Sequence, residues 1–283
     1  MWSSRADAGS LSLARQFGFG ISRALHGVRQ SLVEPTLRWL SLGTIVLHVL
    51  VYGTLLVLGL WLLDGVVPAA PLGDGLLETL MRWLLGALQL ILVVIWSLVS
   101  VWLTLLLGGT LGGPLLDTLS ERTERLLLGG MQEERLADHE AGFLQSSVTE
   151  LLRQGTLALL YWPLSSSLVL LTVLPVVGTI AGPLLTWCLT SMWSSLSFLG
   201  PTASRHGLGV RSRLALLWRY KGIALGCGAP ASVPLLSALL LPLLAPGMVI
   251  GMTEVFLALA ATEHVPSRLT ETEKTHLRER LAR

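Results

Sequence analysis

The chain has 283 residues, of which 52% are hydrophobic and only 13% charged, about half the charge of an ordinary soluble domain, where roughly 25% is usual. That composition excludes a disordered chain, which needs low hydrophobicity and high charge, and two cysteines exclude a disulfide scaffold. A net charge of +2 leaves no global field for nucleic acid, and the expected solvent for much of the chain is lipid.

Residues 1–41 carry five Arg against Asp7 and Glu34. Arg5 and Arg15 precede no apolar stretch of signal-peptide length, so the N-terminus is expected to stay on the side where it was made. Ile21, Leu25, Val28 and Leu32 recur at helical spacing and form one apolar stripe. Arg23 and Gln30 lie opposite it, and Arg29 lies on its flank. One reading is a basic amphipathic helix resting on the membrane surface. The other is an anion site, where the planar fork of an Arg would bind a sulfate or phosphate and Gly27 would let the backbone approach the ion.

Residues 42–63 contain no formal charge, and these 22 residues would make a helix of about 33 Å, enough to cross a hydrocarbon core of about 30 Å. Trp39 and Trp61 bracket the segment, where interfacial aromatics belong. Residues 83–116 are also uncharged, and Gly108, Gly109, Gly112, Gly113 and Pro114 predict the end of a span over 84–111. The next segment is predicted to start as a helix, with Pro114 in its first turn and Thr118 and Glu121 at capping-box spacing. Glu121, Arg122, Glu124 and Arg125 then read as a solvated, salt-bridged face.

The block 154–204 has no formal charge over 51 residues, and a straight helix of that length would measure about 75 Å, too long for one crossing. Pro175, Gly178, Gly182 and Pro183 are expected to fold it into a hairpin. In the block 222–262 the only charge is Glu254, and Pro242 and Pro246 are expected to divide it into a second hairpin. Its last piece, of about 16 residues, is short for a span and suits a re-entrant helix. Residues 263–283 read as an exposed helix or a frayed tail. Of the basic residues, only Arg82 falls in the loop 64–82. The positive-inside rule therefore puts that loop outside and both termini in the cytoplasm, which requires both later blocks to leave and return on one side. The expected fold is an all-α integral membrane protein: two long transmembrane helices plus two helical hairpins, in a single integral membrane domain over 1–283.

No catalytic or metal motif is present: no His-Glu-x-x-His, no Cys-x-x-Cys, no phosphate loop and no Gly-x-Ser-x-Gly. His139 lies beside Asp138 and Glu140, but adjacent residues on a helix point apart. The chain is expected to be no enzyme and to need no metal or cofactor. His48 and Glu254 are ionisable groups inside apolar blocks, each either part of a pathway or relay, or a side chain that snorkels or bonds between helices. Arg205, Arg211, Arg213, Arg219 and Lys221 form an acid-free loop that reads as a positive-inside anchor, or else as a collector of anions at a pore mouth. Cys188 and Cys227 read as buried free thiols.

Several strings, in order, carry a family resemblance. Pro114-Leu-Leu-Asp117-Thr-Leu-Ser-Glu121 resembles the Pro-Phe-Leu-Asp-x-Leu-Ser-Glu signature of the CysZ sulfate permease and etoposide-induced membrane protein superfamily. Leu174-Pro175-Val-Val-Gly178, Arg205-His-Gly-Leu208, Gly226-Cys-Gly228 and Val233-Pro234-Leu-Leu236 resemble its later strings. The resemblance covers roughly residues 18–260. It implies two long spanning helices and two pairs of partly penetrating ones. It also implies that Gly27-Val28-Arg29 matches a Gly-Leu-Arg string that contributes to sulfate binding in bacterial members. Val28 stands here in place of Leu, Leu115 in place of Phe, and Gln30 where a second Arg can occur. The function so implied is a permease for sulfate or a related inorganic anion in the cytoplasmic (inner) membrane. It would be a homo-oligomer in contact with membrane lipid and without nucleic acid. The alternative, suggested by eukaryotic relatives, is a membrane scaffold that does not transport.

Overall fold

The computed structural model describes residues 12–66, 75–129, 156, 159, 161, 163–168, 177–262 and 265–282. Among them there is no β-strand, and the fold is that of an all-α membrane protein. The helices are α1 (Leu13–Val33), α2 (Pro35–Val66), α3 (Leu76–Leu111), α4 (Gly113–Leu128), α5 (Val177–Arg205), α6 (Val210–Arg219), α7 (Lys221–Ser232), α8 (Pro234–Thr262) and α9 (Glu271–Ala282). Residues 163–168 are also helical. Among the described residues, three stretches are long and apolar enough to cross a membrane: Pro35–Gly65, Leu77–Ser97 and Leu244–Thr262. The chain divides into two compact units, Met1–Thr44 with Gly113–Arg283, and Ile45–Gly112.

The helix boundaries follow local chemistry, and several differ from those the sequence suggests. Pro35 and Pro234 each open a helix, where the missing N–H costs nothing. The proline at 234 holds Val233 in an extended conformation, φ −77° and ψ 112°, and this residue separates α7 from α8. The break expected at Pro242 and Pro246 is therefore displaced to Val233, and α8 runs helical through both prolines. A membrane helix tolerates interior proline because its neighbours can re-satisfy the freed carbonyls. The helix is consequently 29 residues long, and Leu244–Thr262 within it is apolar enough to cross a membrane. In the same way Gly178, Gly182 and Pro183 lie within α5 rather than in a turn, while Pro175 falls outside the described residues. Helix α3 begins at Leu76, before the expected 84, because the Glu78 carboxylate accepts the Gly75 N–H at 2.8 Å and caps the first turn. Thr118 is no cap; its hydroxyl donates to the Pro114 carbonyl at 2.8 Å inside α4.

In the larger unit, α1 lies against α7 and α8. It buries Gln16, Gly20, Ala24, Gly27 and Ser31, a row spaced by three and four whose last four members are small. The predicted apolar stripe is not the buried one: Leu25 and Leu32 are 56% and 59% exposed. Lipid is as apolar as a protein core, so leucines gain little by turning inward, whereas small residues let backbones touch. A Cβ at Gly27 would collide with the Gly247 carbonyl and the Gly251 backbone; one at Gly20 would collide with the Ile223 carbonyl, and one at Gly226 with the Phe17 carbonyl. Behind this contact lies the apolar core, where Leu199, Leu217, Tyr220, Ile223, Met252 and Phe256 pack between α5, α6, α7 and α8.

The C-terminal helix is docked rather than frayed. Thr270 and Glu273 form a capping box at its start, with the Thr270 N–H donating to Glu273 at 2.6 Å and the Glu273 N–H to the Thr270 hydroxyl at 3.3 Å. Leu277 is buried, Arg278 donates to the Ala261 carbonyl at the end of α8, and Arg280 donates to the Leu126 and Leu127 carbonyls at the end of α4. Cations there satisfy orphan carbonyls and favour the negative ends of both helices.

The smaller unit holds the rest of α2 and most of α3. The Trp96 indole donates to the Leu55 carbonyl at 3.0 Å, and its ring covers Gly59, leaving no room for a side chain there. Val57, Trp61, Leu84, Leu90 and Ile91 are exposed, an apolar surface of the kind a membrane covers.

The close contact at Gly27 predicts a graded test. Gly27→Ala should lower the melting temperature of the detergent-purified protein, since overpacking costs about 1–3 kcal/mol. Gly43→Ala, where a Cβ meets nothing within 4 Å, should leave it unchanged or slightly raised. Equal melting of both variants and the parent would contradict this packing.

Candidate functional site

Of the residues singled out in the sequence, the structure brings Glu254 together with the N-terminal helix. Arg23, His26 and Gln30 sit at spacings of three and four and share one face of α1. The close approach of Gly27 to Gly251 sets that face beside Glu254 of α8. Arg23 Nη1 donates to Glu254 Oε2 at 3.3 Å, and His26 Nε2 lies 3.8 Å from Oε1. The Gln30 amide nitrogen is 3.1 Å from His26 Nε2, and the Arg23 guanidinium lies 5.3 Å from the Phe19 ring centre. The Glu254 side chain is 4% exposed, against 25% for Arg23 and 46% for His26.

The three residues of the proposed anion string are placed differently from one another. Gly27 spends its bare backbone on contact with α8, and its N–H lies inside a continuous helix, so the backbone approach expected there is made to another helix. Val28 packs on Gly247. Arg29 is exposed and one turn from His26, and it forms no ion pair with a described residue. His48 is buried and belongs to the smaller unit.

A second polar cluster was not legible as one in the sequence. Asp117, Ser120 and Glu124 share the inner face of α4 at spacings of three and four, while Glu121 and Arg125 pair on its other side. Glu124 is therefore buried, not part of the solvated face expected of it. It receives Arg205 Nε and Nη2 at 3.2 Å each, and its Oε1 lies 2.9 Å from His206 Nε2. Arg205 is only 10% exposed and also binds the Asp117 carboxylate and the Ser120 hydroxyl. It is thus matched by acid rather than standing in an acid-free loop. The Arg268 N–H donates to His206 Nδ1 at 3.2 Å, which leaves the ring proton on Nε2, facing Glu124. Ser120, Thr202 and Thr253 complete the cluster as a triangle of hydroxyls 2.6 to 2.9 Å apart. Arg213 is buried as well, donating to the Leu208 carbonyl and the Ser204 hydroxyl, whereas Arg211, Arg219 and Lys221 stay exposed. Gly207, at φ 74°, makes the turn that aims Arg205 and His206 inward.

Burial alone would raise the Glu124 carboxyl, but the His206 hydrogen bond and the Arg205 charge outweigh it and hold the group below its ordinary 4.5. With Arg205 held between Asp117 and Glu124 and His206 bonded to Glu124, this cluster braces α4 against α5 and α8. The α1 face is the open one: Arg23, His26 and Arg29 are all partly exposed, and among the described residues buried Glu254 is the acid beside Arg23 and His26. Among the described residues no group of three or more His, Cys, Asp or Glu could hold a metal ion, and His139 lies outside them. Cys188 and Cys227 are free; Cys227 is buried with its thiol directed to the Gly20 carbonyl at 3.2 Å.

The brace has a pH signature. A carboxyl that titrates lower in the folded state contributes stability that is whole above its unfolded value of 4.5 and is lost as pH falls through the folded value. Glu124→Ala should cost about 3–5 kcal/mol near neutral pH, because it leaves buried cationic donors unpaired. Thermal melts from pH 7 to 3 should show the gap between parent and variant closing below pH 4.5; a gap that is constant with pH would refute the assignment.

Comparison with curated proteins finds no match. Residues 23–246, from the middle of α1 into α8, match the family described as Sulfate transporter CysZ/Etoposide-induced protein 2.4. The chain belongs to that family.

Proposed function

We propose that the protein is a permease that carries sulfate or a related inorganic anion across the cytoplasmic membrane, as a homo-oligomer and without an enzymatic step. The observation that carries this reading is the basic face of α1: Arg23 and Arg29 lie within two turns with His26 between them, and among the described residues the acid paired with Arg23 is buried Glu254. An arginine offers a planar fork of donors that fits two oxygens of a sulfate at once. An ion leaving water needs such donors, since an uncompensated charge in hydrocarbon costs several kcal/mol or more. The family's own description, which includes a sulfate transporter, agrees with this chemistry.

Radiolabelled sulfate uptake into proteoliposomes tests it. The parent should show saturable uptake, and Arg29→Ala should reduce the rate at low sulfate by about tenfold, the loss of one charge-assisted contact of about 1.5 kcal/mol. No uptake by folded parent protein would favour the scaffold reading; equal uptake by both would keep transport and remove Arg29 from it. The orientation is tested separately. In a Cys188→Ala background, Gly209→Cys, exposed and with open space around it, should be labelled by a membrane-impermeant thiol reagent only from the cytoplasmic side. Labelling from outside would reverse the topology.

A further inference from the structure

We propose that Arg23 and His26 form an oxyanion site that Glu254 occupies as a tethered ligand, so that an inorganic oxyanion binds there by displacing the carboxylate. This deepens the permease reading and rests on it, although binding and transport are measured apart.

The geometry resembles an anion already bound. The two oxygens of Glu254 face two different side chains: Oε2 accepts from Arg23, and Oε1 lies 3.8 Å from the His26 ring, which adds a charge when protonated. Neither link is tight: 3.3 and 3.8 Å exceed the roughly 2.7–2.9 Å of a well-made charge-assisted bond. Only one nitrogen of the Arg23 guanidinium is engaged by Glu254, out of five N–H donors the group carries. Access is asymmetric in the required sense: the carboxylate is sealed inside, and Arg23 and His26 are both partly exposed. An arriving anion therefore meets the donors first and the competitor from behind. Helix α8 stays in place, since Thr253, the preceding residue, is tied to Ser120 and Thr202 on the opposite side, and only the flexible Glu254 side chain withdraws.

The competing explanation is an interhelical salt bridge that only locks α1 to α8. The two differ in sign. A lock predicts that Glu254→Gln and Arg23→Gln both lower stability and leave anion affinity alone. A tethered ligand predicts opposite effects on affinity. The experiment titrates sodium sulfate into the full-length protein in nanodiscs by calorimetry at constant ionic strength set with chloride. Gel filtration checks that each variant is folded. Glu254→Gln should tighten sulfate binding about tenfold or more, and Arg23→Gln should weaken it by a similar factor. Unchanged or weaker binding by folded Glu254→Gln overturns the proposal, as does a response that chloride reproduces. Should Glu254→Gln not fold, Glu254→Asp keeps the charge and draws it back by one methylene; it should tighten binding in the same direction, and failure to do so is equally decisive. Uptake in matching proteoliposomes separates the two levels. Transport without any Glu254 effect on binding leaves the permease and removes this site. Tighter binding without transport leaves the site and removes the permease.

Discussion

A helix in lipid gains little from hiding leucines, because the surrounding hydrocarbon is as apolar as any core. What it gains from packing is dispersion between surfaces that come very close, and small residues allow the closest approach. The larger unit depends on this constraint. Gly20 and Gly27 of α1, Gly226 of α7 and Gly247 and Gly251 of α8 meet backbone to backbone, with no room for a single added methyl. That contact turns Leu25 and Leu32 outward and leaves Arg23, His26 and Gln30 beside α8. The polar face exists as a site only because the glycine face is so tightly seated.

Helix α8 carries the consequence to its other side. Glu254 looks toward α1 while Thr253, one residue earlier, joins Ser120 and Thr202. In a low-dielectric interior each such group must be paired, and a paired network fixes the helices that bear it. The two clusters differ in balance. Glu124 and Asp117 neutralise Arg205 in a closed brace, and α9 docks over it through the Arg268 amide and the arginines that cap α4 and α8. Around Glu254 the acid is buried while Arg23 and His26 reach the surface. The brace suits stability, and the open cluster suits binding.

Much of the fold was legible in the sequence because charge is so rare in it. Uncharged runs located α2 and α3, and the strings around Asp117 and Pro234 carried the family resemblance. The errors have identifiable causes. Proline in the sequence signals a break, yet α5 and α8 continue through Pro183, Pro242 and Pro246, because tertiary neighbours can supply what a proline removes. The leucine stripe of α1 was read with a water-facing rule of amphipathicity, and lipid inverts which face is worth burying. Glu124 was assigned to solvent through its neighbours Glu121 and Arg125, although the spacing of Asp117, Ser120 and Glu124 placed a second polar face on α4. Glu254 was legible as an exception inside an apolar run; its partners were not, since they lie more than two hundred residues earlier in the chain.

The central claim is that a cationic face on α1, held in place by glycine contacts, handles an oxyanion. The most direct measurement is the concentration dependence of sulfate entry into proteoliposomes that hold the purified parent protein. The account predicts a rate that saturates with sulfate and is inhibited by other tetrahedral oxyanions. A rate that rises linearly with sulfate, equal to that of protein-free vesicles, would contradict it.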